Sequence, residues 1–127
     1  MRKKLFLIVL FCLISLGSFI AYKVYHVSNQ VEEMDKSPVD VSLVKDGTYK
    51  GKSYTDLVKV DLEIKVQQGQ IKEIEVVKHE CGKGKKAEAI LDKVIQRNSP
   101  EVDSVSGATL SSEVIKDAIR EGLRKGI

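Results

Sequence analysis

Apolar side chains follow three rhythms along this chain, and each predicts a different element. Leu5 to Tyr22 is an eighteen-residue run without a charge, interrupted only by Ser15, Gly17 and Ser18. That is the lower end of the length that crosses a bilayer as a helix. Further on the rhythm is two: Val58, Val60, Leu62, Ile64 and Val66 alternate with Lys59, Asp61, Glu63, Lys65 and Gln67. Alternation puts every apolar side chain on one face and predicts a half-buried antiparallel strand. Gln68-Gly69 turns the chain, and Ile71 to Lys78 predicts a second strand whose alternation slips once, between Ile71 and Ile74, as at a bulge. Upstream, Asp46-Gly47 reads as a turn, and Thr48, Tyr49 and Tyr54 suit a strand or hairpin around Gly51.

The third rhythm is helical. Ala87, Ile90, Leu91, Val94 and Ile95 fall on one stripe between Lys85 and Arg97, which predicts a helix covering the apolar sheet face. Asn98-Ser99-Pro100 ends it, and a short extended piece follows from Val102 to Val105. The last helix runs from about Leu110 to Leu123 and packs through Leu110, Val114, Ala118, Ile119 and Leu123, with Thr109 or a neighbouring Ser as its N-cap. Residues 1–23 are thus read as a transmembrane anchor, 24–45 as a polar juxtamembrane stalk and 46–127 as one small domain. The expected fold class is α+β, a small antiparallel sheet packed by two helices and preceded by one transmembrane helix.

Charge settles the side of the membrane and removes one class of partner. Arg2, Lys3 and Lys4 precede the apolar run and only Lys23 closely follows it, so the basic excess holds the N-terminus in the cytoplasm and the domain outside. No small-x-small cleavage site is present at Phe19-Ile20-Ala21-Tyr22, and Phe11 is a poor residue to precede a lipid-modified Cys12, so an uncleaved single-pass anchor in the cell membrane is expected. The net charge of +3 mixes anchor and domain: removing the four flanking cations from 21 basic residues leaves 17 against 18 acidic ones, a net of −1. No electrostatic footprint for nucleic acid remains. Cys12 lies in the apolar run and Cys81 in the domain, so neither a disulfide framework nor a metal cluster is expected.

Candidate chemistry concentrates in Asp103-Ser104-Val105-Ser106-Gly107-Ala108-Thr109-Leu110-Ser111-Ser112, small and hydroxylated residues leading into the last helix. Gly107 and Ala108 let another molecule approach the backbone, and the free amides and positive dipole end of a helix favour an anion. No His or Lys in the run makes Thr109 a self-activating nucleophile, and no catalytic residue is assigned. His79 reads as a strand-end surface residue, and Cys81, in the turn His79-Glu80-Cys81-Gly82-Lys83-Gly84, as a free thiol. Lys83, Lys85 and Lys86 read as a solvated helix start. Tyr49 and Tyr54 are left open between stacking on a ligand and filling a strand.

These residues resemble the FMN-binding domain of bacterial membrane-associated redox proteins, which include subunits of sodium-pumping quinone reductases. The resemblance rests on Asp46-Gly47-Thr48-Tyr49-Lys50-Gly51, Gln68-Gly69-Gln70-Ile71, Val76-Val77-Lys78-His79 and, above all, Asp103 to Thr109. It implies that Thr109 carries FMN through a phosphoester bond, with Ser106, Gly107, Ala108 and Asp103 around it. It also implies a separate flavin transferase that uses FAD and magnesium, and membrane redox partners beside the lipid bilayer. The turn at Cys81 departs from the Glu-Thr-Pro-Gly form of many members. The expectation is a carrier that relays electrons; the alternatives are an unflavinylated binding module of the same fold and a subunit of a flavin-dependent reductase.

Overall fold

The computed structural model describes residues 1–80 and 84–127. Cys81 and Lys83, singled out above, lie outside the described residues, as do the side chains of Lys85 and Lys86. Six main elements follow in order: α1 (Arg2–Glu32), β1 (Gly47–Tyr54), β2 (Lys59–Gln67), β3 (Gln70–Glu80), α2 (Ile90–Arg97) and α3 (Thr109–Arg124). The three strands form one antiparallel sheet in the order β1-β2-β3, the α+β class expected. Gln68 and Gly69 both have positive φ, 54° and 70°. That is the backbone of a two-residue hairpin turn whose twist matches its strands.

Alternation in β2 does what the pattern requires. Val60, Leu62, Ile64 and Val66 are buried, and their partners across the hairpin are His79, Val76, Ile74 and Ile71. Ile71 lies opposite Val66 and Glu73 opposite Lys65, which leaves Lys72 unpaired at the slip read from the sequence. A second bulge leaves Val77 unpaired between Val76 and Lys78 and turns it outward, 62% exposed. β1 is one continuous strand rather than a hairpin around Gly51. Gly51 has another purpose: α3 crosses β1 so closely that a Cβ there would collide with the carbonyl oxygen of Ala118.

α3 buries Val114, Ile115, Ala118, Ile119 and Leu123 against the sheet. The stripe read between Lys85 and Arg97 divides into a 3₁₀ helix, Gly84–Ala89, and α2, through which Ala87, Ile90 and Val94 are buried. α2 ends at Asn98, whose φ of 52° is left-handed. Its side chain accepts from Ile71 N (2.7 Å) and donates to Gly69 O (2.9 Å), tying the helix end to the β2–β3 turn.

α1 is long and apolar enough to cross a membrane, and it continues past the apolar run to Glu32. Residues 24–45, read as a stalk, fold onto the domain. Val27, Val31, Val39, Val41 and Val44 are all buried, and a 3₁₀ turn at Val41–Leu43 is capped by Asp40.

Candidate functional site

The chain reaches the small-residue turn along a guide rail of side chains on α3. Ser112, Lys116 and Arg120 recur every four residues, which stacks them on one helix face, and all three are buried. Arg120 forks onto Glu101 with Nε to Oε1 at 2.9 Å and NH2 to Oε2 at 3.1 Å. Lys116 Nζ donates to the carbonyl of Val102 (3.0 Å) and pairs with Glu113 at 2.7 Å. Ser104 Oγ donates to Glu113 (2.6 Å). Ser112 Oγ accepts from Val105 N (3.0 Å) and donates to Ala108 O (2.7 Å). Partners 101, 102, 104 and 105 therefore meet α3 in reverse order, so the segment runs antiparallel to the helix and delivers the turn to its N-terminus.

The turn itself follows from Gly107. Ala108 N donates to Val105 O at 3.0 Å, closing a four-residue turn whose third member, Gly107, has φ +77°. A type II turn asks for that value there, and glycine adopts it without steric cost. Ala108 is the N-cap of α3 and no side chain caps the helix. This corrects the expectation that Thr109 or a Ser would do so: Thr109 is the first helical residue, and the Ser112 hydroxyl is engaged with Val105 and Ala108. The first amide bonded within the helix is Ser112 N, to Ala108 O (2.9 Å). The amides of Thr109, Leu110 and Ser111 precede it and have no intrahelical acceptor.

Ser106, Gly107, Ala108 and Thr109 are thus brought together in the turn and helix start, with Thr109 exposed; Asp103 is exposed on the extended piece before them. An uncapped helix start beside an exposed hydroxyl fits a phosphoester. Its retained negative charge at a helix N-terminus is favoured by about 0.3–1 kcal/mol. Tyr49 is at the opposite end, its hydroxyl donating to Lys45 O (2.6 Å), so it fills a strand and does not reach the turn. Tyr54 donates to the carboxylate of Asp61 from an exposed position.

His79 corrects another expectation. Its side chain is only 4% exposed, with Nδ1 3.2 Å from Glu88 Oε1 and Nε2 buried without a hydrogen-bond partner among the described residues. The second bulge accounts for this, because skipping Val77 returns His79 to the core face opposite Val60.

Two expected results test the rail. Ser112→Ala leaves Val105 N without its acceptor and takes one of two donors from Ala108 O, which keeps the amide of residue 112; the expected cost is about 1–3 kcal/mol, read by urea unfolding, and an unchanged midpoint would contradict the role. Burial acts to raise the pKa of Glu113, but hydrogen bonds from Lys116 and Ser104 and nearby lysine charge outweigh it, holding the carboxyl below its ordinary 4.5. The folded value is the lower one, so this group's contribution is present above pH 4.5 and is lost as pH falls through the folded value. Glu113→Gln should make the acid limb of the stability profile shallower, and an equally steep limb would count against it.

This is an α+β domain whose last helix begins, beside a glycine-shaped turn, with backbone amides that can receive an anion. The FMN-binding domain profile matches residues 53–124, more than half of the chain and all of the site, and the chain belongs to that family. It is a flavin-binding protein. Neither the curated proteins nor the solved structures include a significant match to it.

Proposed function

We propose that this protein is a membrane-anchored, extracytoplasmic electron carrier with FMN held covalently on Thr109. The observation that carries the reading is the exposed Thr109 hydroxyl on the first residue of a helix that no side chain caps. Family membership supplies the flavin, and the helix start supplies a favourable seat for its phosphate. Attachment is the work of a separate FAD-dependent transferase. The Thr109 hydroxyl gives up its proton, its oxygen bonds to the FMN phosphorus, the phosphoanhydride of FAD breaks, and AMP leaves. Ser106, Gly107 and Ala108 leave the hydroxyl accessible, while Asp103, exposed on the extended piece before the turn, serves recognition by the transferase.

Bound flavin supplies one- and two-electron chemistry, and the protein positions it. Ser112, Glu113, Lys116 and Arg120 hold the turn so that the attached group has one point of departure. Outside the cytoplasm a dissociating flavin would be lost by dilution, whereas a bonded one stays whatever its non-covalent affinity. Electron partners are membrane redox proteins. Intact mass tests the reading: co-expression with the transferase should add one FMN less water, and expression without it should add nothing. An unchanged mass in both would favour an unflavinylated module, and turnover of a small acceptor by the purified chain would favour a reductase subunit.

A further inference from the structure

We infer that the domain stands on the membrane with the Thr109 end down, facing the lipid headgroups. This rests on the proposed anchoring of α1 and not on the flavin. The direction of each element can be read from its contacts. Along β1, Tyr49 lies by Gly126, Gly51 by Ala118 and Gly122, and Ser53 by Asp117, which accepts from its hydroxyl at 2.7 Å. Four residue steps along the strand span about 13 Å; the seven helical steps from Asp117 to Arg124 span about 10.5 Å, and Gly126 lies just beyond them, so the two axes run side by side in opposite senses. The eight residues from Asp117 back to Thr109 carry α3 about 12 Å further. That reaches the level of the β1–β2 turn, Thr55 to Val58. The opposite end holds the β2–β3 turn, Asn98 and the C-terminus of α3.

α1 enters at the Thr109 end. His26 Nδ1 pairs with Asp56 in the β1–β2 turn at 2.9 Å, and Gln30 Oε1 accepts from Asp56 N at 3.1 Å. Further along, Arg124 NH2 donates to Asp35 O and Ser37 O, both at 3.1 Å. The chain leaving α1 therefore travels from the β1–β2 turn toward the far end, with Val27 and Val31 buried beneath it. α1 is unbroken from Arg2 to Glu32, so its apolar run projects away from the domain on the Thr109 side. Tyr22 closes that run, and His26 is one turn, about 6 Å, beyond it. Leu57, at the tip of the same turn, is 48% exposed, as suits a side chain meeting the interface. The flavin on Thr109 is thereby restricted to redox groups at the membrane surface.

The test uses the full chain, with Cys12 and Cys81 replaced by serine, in phosphatidylcholine–phosphatidylglycerol vesicles that contain a headgroup-nitroxide lipid. Single fluorophore-bearing cysteines are placed by Leu57→Cys and Ser106→Cys at one end and by Leu43→Cys at the other. The expected result is vesicle flotation with quenching several-fold stronger at 57 and 106 than at 43. Equal or reversed quenching in floating protein overturns the orientation alone. A chain that fails to float overturns the anchor and the orientation with it, and flavin content has no bearing on either outcome.

Discussion

Thr109→Ala is expected to abolish the covalent flavin while leaving the protein folded. Thr109 is exposed, caps nothing, and has its side chain outside the rail that fixes the turn. Its loss should change stability by no more than about 0.5 kcal/mol, seen as an unmoved urea midpoint beside a mass that never rises. Thr109→Ser keeps a hydroxyl oxygen on the same helical residue and should retain measurable attachment. Flavin that persists on Thr109→Ala would place the ester elsewhere, with Ser106 and Ser111 the neighbouring hydroxyls to examine.

The second large effect lies in the scaffold. Gly51→Ala sets a methyl group against the carbonyl of Ala118 and near Gly122 N. Both are helix backbone, which cannot rotate away as a side chain can. α3 must lift from β1, and the expected cost is about 3 kcal/mol or more. For a domain of this size that lowers Tm by roughly 15–20 °C. Gly17→Ala is the matched control, because nothing lies within 4 Å of a Cβ there, and it should leave the domain's melting unchanged. A Gly51→Ala protein that melts normally would show that α3 does not cross at this point.

Much of the fold was legible because it depends on local rhythm. Period two in β2 and the slip at Lys72 follow from which side chains must face one core, and α3 was visible from its stripe. The motif was legible because Gly107 and Ala108 announce a turn without tertiary help. What could not be read depends on elements distant in sequence. Val27, Val31, Val39, Val41 and Val44 share no sustained period across Pro38, yet each finds the domain's edge. Lys116 and Arg120 look like solvated helix positions until Val102 O and Glu101 are brought beside them. Their spacing with Ser112 was the one available signal, since three polar residues at intervals of four border an apolar stripe. His79 was misplaced because the bulge at Val77 reverses which strand residues face inward. Thr109 was misread as a cap because propensity favours Ser and Thr there, whereas Gly107 and the Ser112 hydroxyl set the start of the helix one residue earlier.

Which atom carries the flavin decides the proposed function. The direct measurement is peptide-level tandem mass spectrometry of the full chain, isolated from membranes in which the transferase is active. The expected result is one FMN phosphate on the peptide spanning residues 101–116, with the fragment ions assigning it to Thr109. A bare peptide in fully processed protein, or a flavin assigned to any other residue, would contradict it.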